Sequence, residues 1–212
     1  MQFTTSTELW KGLSDILLFV LALLFAAIIY TRSGQNAPCM QWTRLFFSVG
    51  ISALLGVFVH TFVLSDRFRH LLWIILLFFM HESSKLFNYR LLSLSRNSYP
   101  PKKLKFAIET AEFFSFLAAC IFTLRGSAWD VVIFLIFSVF MLVPVIIDVF
   151  ATKSNNPLSK ILVVLLAIAI VFQAFKPLSE VLVSVAHGFV ALGLYVMYRM
   201  ALKQLGSNNV TA

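Results

Sequence analysis

His60 and His187 are the residues of this chain best placed to do chemistry. Each lies in an apolar run next to small residues, Ser52 and Gly56 for His60, Ser184 and Gly188 for His187. An imidazole inside a bilayer is costly and turns toward protein or a water-filled cavity, away from lipid. Counting residues from the run ends puts His60 about 6 Å and His187 about 10 Å below one face of the membrane. Asp15, Asp66, His70, Asp130 and Glu180 fall near that same face. Two neutral imidazoles and a carboxylate suit zinc, with a fourth position open to water. Zinc lowers the pKa of such a water toward neutrality, which makes it a nucleophile against an ester or amide. The expected metal ligands are therefore His60 and His187, with one of these carboxylates to complete the site or orient the water. The same histidines also suit two other roles. They can hydrogen-bond neighbours or interfacial water, or His60 can pair with His187 or His81 as axial ligands of haem b.

A second polar group lies deeper. His81, Glu82 and Lys85 sit on one run and Glu109 and Glu112 on the next, which crosses in the opposite direction. Lys85 and Glu112 both come out about 10 Å above the other face, so the two can pair; Lys85 can instead pair with Glu82 at i,i+3. A structural ion-pair network mixes signs in this way, and so does half of a polar path through a small transporter.

Seven apolar runs carry these residues: 13–30, 43–64, 71–93, 105–124, 130–150, 158–175 and 180–201. A spanning helix needs roughly 20 mostly apolar residues, and lipid leaves the backbone no partners but its own helix. The expected fold is an all-α, integral membrane bundle of seven transmembrane helices, a single domain over 1–205 with a disordered tail at 206–212. The breakers Gly34, Pro38, Pro100, Pro101, Gly126, Pro157 and Pro177 mark the turns, and Pro144 predicts a kink in the fifth run. Ser48, Ser52, Gly56 and His60 recur every four residues, a stripe that lets a neighbouring backbone approach. Ser184, His187, Gly188, Ala191 and Tyr195 predict a similar packed face on the seventh run. Asp15 at the entrance of the first run, without a basic segment before it or a small-residue cleavage site after it, argues against a signal peptide.

The chain is 60% apolar and only 12% charged over 212 residues, far from a soluble domain. Its net charge of +8 does not imply nucleic acid, because the cations cluster in loops. Eleven Lys and Arg fall on the side of the odd-numbered connectors and C-terminus, against five on the other, with Lys11 among the five. By the positive-inside rule the N-terminus is outside and the C-terminus cytoplasmic. The Lys102, Lys103 and Lys105 segment then faces anionic headgroups. The partners implied are membrane lipids, with a membrane-protein partner or a second copy as further candidates. Cys39 and Cys120 lack metal spacing and read as free thiols. A retinal protein is set aside, since Lys176 precedes the seventh run, Lys203 follows it, and none lies between.

Seven helices, an outside N-terminus, Ser52-Ala-Leu-Leu-Gly-Val-Phe-Val-His60 and Ser184-Val-Ala-His187 together resemble the ceramidase-like group, which covers alkaline ceramidases, progestin and adiponectin receptors, and hemolysin-III-like proteins. The resemblance implies zinc held by a histidine on helix two, an aspartate on helix two or three, and two histidines on helix seven. It carries over to His60 and His187 as metal ligands and to Asp66 as the catalytic carboxylate that completes the site or orients the water. Gly56 stands where the group has a serine, Ala191 where it has the second helix-seven histidine, and Asp66 comes earlier than the group's aspartate. The function expected is a metal-dependent hydrolase of a lipid amide or ester. The alternatives are a non-catalytic membrane scaffold or partner subunit, and a small transporter built on His81, Glu82, Lys85 and Glu112.

Overall fold

The computed structural model describes residues 5–33, 37–96, 102–125, 150, 157–174 and 181–208. These form six helices: α1 Ser6–Ser33, α2 Ala37–Thr61, α3 Asp66–Arg96, α4 Lys102–Leu124, α5 Pro157–Ala174 and α6 Val181–Asn208. They correspond to the first four, the sixth and the seventh apolar runs. The fifth run, with its Pro144 kink, lies outside the described residues apart from Phe150, as do Asp130 and Glu180. α1, α2, α3, α4 and α6 are each long and apolar enough to cross a membrane, and α5 is a shorter apolar helix. The chain is all-helical where described and has the make-up of a multi-pass membrane protein.

Local chemistry sets the ends. Pro157 opens α5, where a missing N–H costs nothing. Asp66 lies in the first turn of α3, where its charge meets the positive end of the helix dipole. α1 starts seven residues earlier than the apolar run that contains it, and this brings Glu8 and Lys11 into the helix. α6 runs to Asn208, past Gly206 where the tail was expected to begin.

The helices pack side by side in the order α4, α3, α2, α1, α6, α5, with α2 also touching α6. Three glycines let α1 and α2 approach: Gly12 against Thr61, Gly50 against Leu23 and Gly56 against Asp15. A Cβ added to Gly50 would stand 3.1 Å from Leu23 Cδ2, and one on Gly56 would stand 2.5 Å from Asp15 Oδ2. Of the stripe expected on the second run, Ser48 and Gly56 are buried and Ser52 and His60 are half-buried, so it does face the inside of the bundle. The face expected on the seventh run needs correction. Gly188 has nothing within 4 Å and Tyr195 is exposed. α6 instead buries Ala186, Leu194, Met197 and Ala201.

Aromatic rings join α1, α2 and α6 in the half of the bundle away from the chain's N-terminus. Phe25 stacks on Tyr198 at 4.4 Å between centroids and meets Phe46 edge-on at 5.7 Å. Beside them a polar pin ties α2, α3 and α6 together. Trp42 Nε1 donates to Gln204 Oε1 at 3.0 Å, and Arg90 donates to Gln204 Oε1 and to Gln41 Oε1. The Arg90 guanidinium also lies 5.1 Å over the Trp42 ring. Arg90 is 1% exposed, and arginine tolerates such burial because it is weakly hydrated and stacks on aromatic faces.

Candidate functional site

The α1 start at Ser6 places Glu8, Lys11 and Asp15 on one helical face at i, i+3 and i+7, with Ser14 beside them. That face meets α2 and α6 near the end of the bundle where α1 begins. Glu8 spans two partners, with Oε1 2.5 Å from Lys11 Nζ and Oε2 2.6 Å from His60 Nδ1. Lys11, which the charge count placed in a loop, is buried within α1 at 2% exposure. The ammonium is stable there because Glu8 lies one turn away and turns inward with it.

His187 meets α1 through the same ring atom twice. Its Nδ1 is 2.7 Å from Ser14 Oγ and 3.4 Å from Asp15 Oδ1. Ser14 Oγ also donates to the Lys11 carbonyl at 2.7 Å. A hydroxyl has one proton to give. Ser14 therefore accepts from His187, and Nδ1 carries the hydrogen. Asp15 Oδ1, at 3.4 Å, faces the same ring nitrogen. The His60 ring is fixed alike, since a carboxylate oxygen at its Nδ1 calls for an N–H there. In both rings the α1 contact uses Nδ1, so a further ligand of either ring is taken at Nε2. This is not a serine-protease triad, in which the hydroxyl and the carboxylate sit on opposite ring nitrogens.

His60, His187, Lys11 and Asp15 line one cavity of about 360 Å³. The rest of its wall is mostly aliphatic and aromatic, including Trp73, Leu77 and Phe87 on α3 and Leu194 and Met197 on α6. Trp73 lies edge-on to His60, 6.3 Å between centroids, which sets the level of α3 against α2. From that level the cavity follows α3 to Asn88, about 22 Å away, and α2 to Leu45, about 22 Å. One leaflet of hydrocarbon is about 15 Å deep. The cavity is thus longer than one leaflet is deep, enough for an extended long-chain tail, with charged and acid–base groups at one end only.

The sequence-predicted residues fare differently. His60 and His187, from separate helices, share this cavity. Asp66 is exposed in the first turn of α3, and the carboxylate beside His187 is Asp15. Asp66 opens a helix from a short connector, so its side chain stays in the polar layer; Asp15 is held inward by the close α1–α2 contact at Gly56. His70 lies one turn past Asp66 on α3. Among the described residues no three His, Cys, Asp or Glu side chains are arranged to hold a metal ion. Cys39 and Cys120 are free thiols.

The deeper group divides into local contacts. Lys85 pairs with Glu82 on its own helix. Glu109 lies 3.9 Å from Lys105 on the exposed side of α4, and the His81 ring packs at 5.6 Å against Phe116. The Glu112 side chain, and so its expected pair with Lys85, lies outside the described residues.

Glu8, Lys11 and Ser14 are the site residues that sequence reasoning missed. The signal was their spacing with Asp15, a polar stripe at i, i+3 and i+7, hidden because the helix was begun at the first apolar residue. No family model, curated protein or solved structure matches the chain.

Proposed function

We propose that the protein binds a single-chain amphipathic lipid within its bundle and hydrolyses an amide or ester bond at the lipid's polar end. The observation that supports this reading is the Lys11, Asp15, His60 and His187 cluster at one end of an apolar cavity long enough for an extended long-chain tail. The reading includes a seventh crossing over 130–150 and an outside N-terminus, which puts the cluster at the outer headgroup level. It also takes the chain as a divergent relative of the ceramidase-like group.

The chemistry follows from the tautomers. Water attacks the carbonyl carbon while His187 Nε2 takes its proton. Asp15, beside Nδ1, stabilises the imidazolium that results. The Lys11 ammonium offsets the charge on the tetrahedral oxyanion. Collapse breaks the C–N or C–O bond, and the proton on Nε2 passes to the leaving nitrogen or oxygen. The products are a fatty acid and an amine or alcohol. His60, held by Glu8, is the second acid–base group in the cavity.

The test is turnover of fluorogenic long-chain amides and esters by protein in lipid nanodiscs, with zinc content measured on the same preparation. His187→Ala is expected to lower turnover by about 10²- to 10⁴-fold, and Tyr195→Phe, on the exposed face of α6, to leave it unchanged. Turnover that survives His187→Ala overturns the role given to His187. Stoichiometric zinc that is lost in His60→Ala would replace this scheme with a metal-assisted one.

A further inference from the structure

Among the described residues five helices line the cavity, and only α2 and α3 reach its far end. Leu18, about 10 Å beyond Lys11, is the last α1 residue on the wall, and Met197, about 15 Å beyond His187, is the last on α6. Past that depth α2 and α3 carry the wall on to Leu45 and Asn88, about 22 Å from the level of His60 and Trp73. Leu45 is 1% exposed, and Trp42 lies one turn beyond it on the same helix. There the Arg90 guanidinium of α3 covers the Trp42 ring at 5.1 Å, and both residues donate to Gln204 of α6. Three helices are tied together immediately behind the leucine. The seam between α2 and α3 is closed at that depth, and Leu45 is its floor.

We infer that Leu45 sets the longest tail the site accepts, and that the ligand is a lipid whose tail holds roughly 16 to 18 carbons, the number that spans about 22 Å at roughly 1.25 Å per extended carbon. This deepens the proposed function and rests on it. The cavity face of α2 then works as a scale. Leu45, Val49 and Ala53 line it at successive turns, each about 6 Å nearer the charged cluster. A bulky side chain at Val49 raises the floor by one such step, and a small one at Leu45 lowers it toward Trp42.

The experiment measures displacement of a fluorescent long-chain fatty acid from the detergent-solubilised full chain. The competitors are the even-numbered saturated fatty acids from decanoic to docosanoic acid. The ratio of variant to wild-type affinity at each length cancels partition into the micelle. Each methylene that loses its place costs up to about fourfold in affinity. Val49→Phe is therefore expected to bind octadecanoic acid at least about tenfold more weakly than the wild type, and decanoic acid equally well. Leu45→Ala is expected to bind eicosanoic acid on the order of tenfold more tightly than the wild type. If Leu45→Ala does not fold, Val49→Phe, which adds bulk to open space, carries the test. A cut-off that stays at the wild-type length in the folded variants overturns the inference and leaves the proposed function standing. Failure of the probe and of every fatty acid to bind the wild type overturns the reading on which it rests.

Discussion

Asp15 and Gly56 fit each other across the α1–α2 interface: a single added carbon on Gly56 would come within 2.5 Å of Asp15 Oδ2. The carboxylate beside His187 is therefore placed by the absence of a side chain on another helix. Gly56→Ala is expected to push Asp15 aside and to destabilise the protein by about 1–3 kcal/mol through overpacking. Gly188→Ala is the control: nothing lies within 4 Å of it, so the exchange should stabilise the helix by about 0.5–1 kcal/mol. Thermal unfolding of both variants in one detergent checks the contrast, and equal shifts would contradict it.

The hydrogen bond from His187 to Ser14 sets which ring nitrogen bears the proton. Ser14→Ala removes the acceptor and leaves Asp15 at 3.4 Å as the remaining α1 contact of Nδ1. The His187 ring is expected to populate both tautomers, visible as a change in its ¹⁵N ring shifts, and turnover should fall by about tenfold, the equivalent of one ordinary hydrogen bond. Ser14→Thr keeps the hydroxyl and should restore both readouts. An unchanged ring spectrum in Ser14→Ala would mean that the hydroxyl does not set the tautomer.

How much of this was legible beforehand differs by residue. The helices were readable because an apolar run of spanning length has few other solutions in lipid. The Ser48–Gly56 stripe was readable because small residues repeat at one helical period. That His60 and His187 share a cavity followed from similar depth. Glu8 and Lys11 were not placed, because charges before an apolar run look like a solvated loop until the helix is extended over them. Asp66 drew attention over Asp15 because a chain position near His60 says nothing about which way a helix-starting side chain turns. Gly188 and Tyr195 share a period with His187, yet periodicity marks a face without telling whether protein or lipid lies against it. The Arg90 pin joins residues more than a hundred positions apart, and no local pattern announces such a contact.

That pin makes a stability prediction. Arg90 donates to two glutamines and stacks on Trp42, so Arg90→Met removes charge-assisted bonds at a site sealed from water. A loss of about 1.5–3 kcal/mol is expected. Arg90→Lys should recover only part of it, because an ammonium lacks the planar fork. Trp42→Phe keeps an aromatic ring but loses the indole N–H bond to Gln204, at about 0.5–1.5 kcal/mol. Urea or SDS unfolding should rank Arg90→Met as the most damaging of the three, and a reversed order would show that the ring packing dominates.

Ala186 offers a way to separate stability from ligand occupancy. It is buried, lines the cavity and precedes His187, so a larger side chain there projects into the space assigned to the lipid next to its carbonyl. Filling an apolar void adds dispersion contacts without crowding a packed neighbour. Ala186→Leu is therefore expected to leave the melting temperature unchanged or raise it, by the few degrees typical of cavity-filling changes. The same leucine excludes the ligand, so lipid that co-purifies with the wild type should be lost and the affinity for a long-chain probe should fall by about tenfold or more. The two readouts are expected to move in opposite directions, which a merely damaged protein would not show. Native mass spectrometry for bound lipid, with a thermal melt on the same sample, decides it: a stable Ala186→Leu variant with full lipid occupancy would place the ligand somewhere other than this cavity.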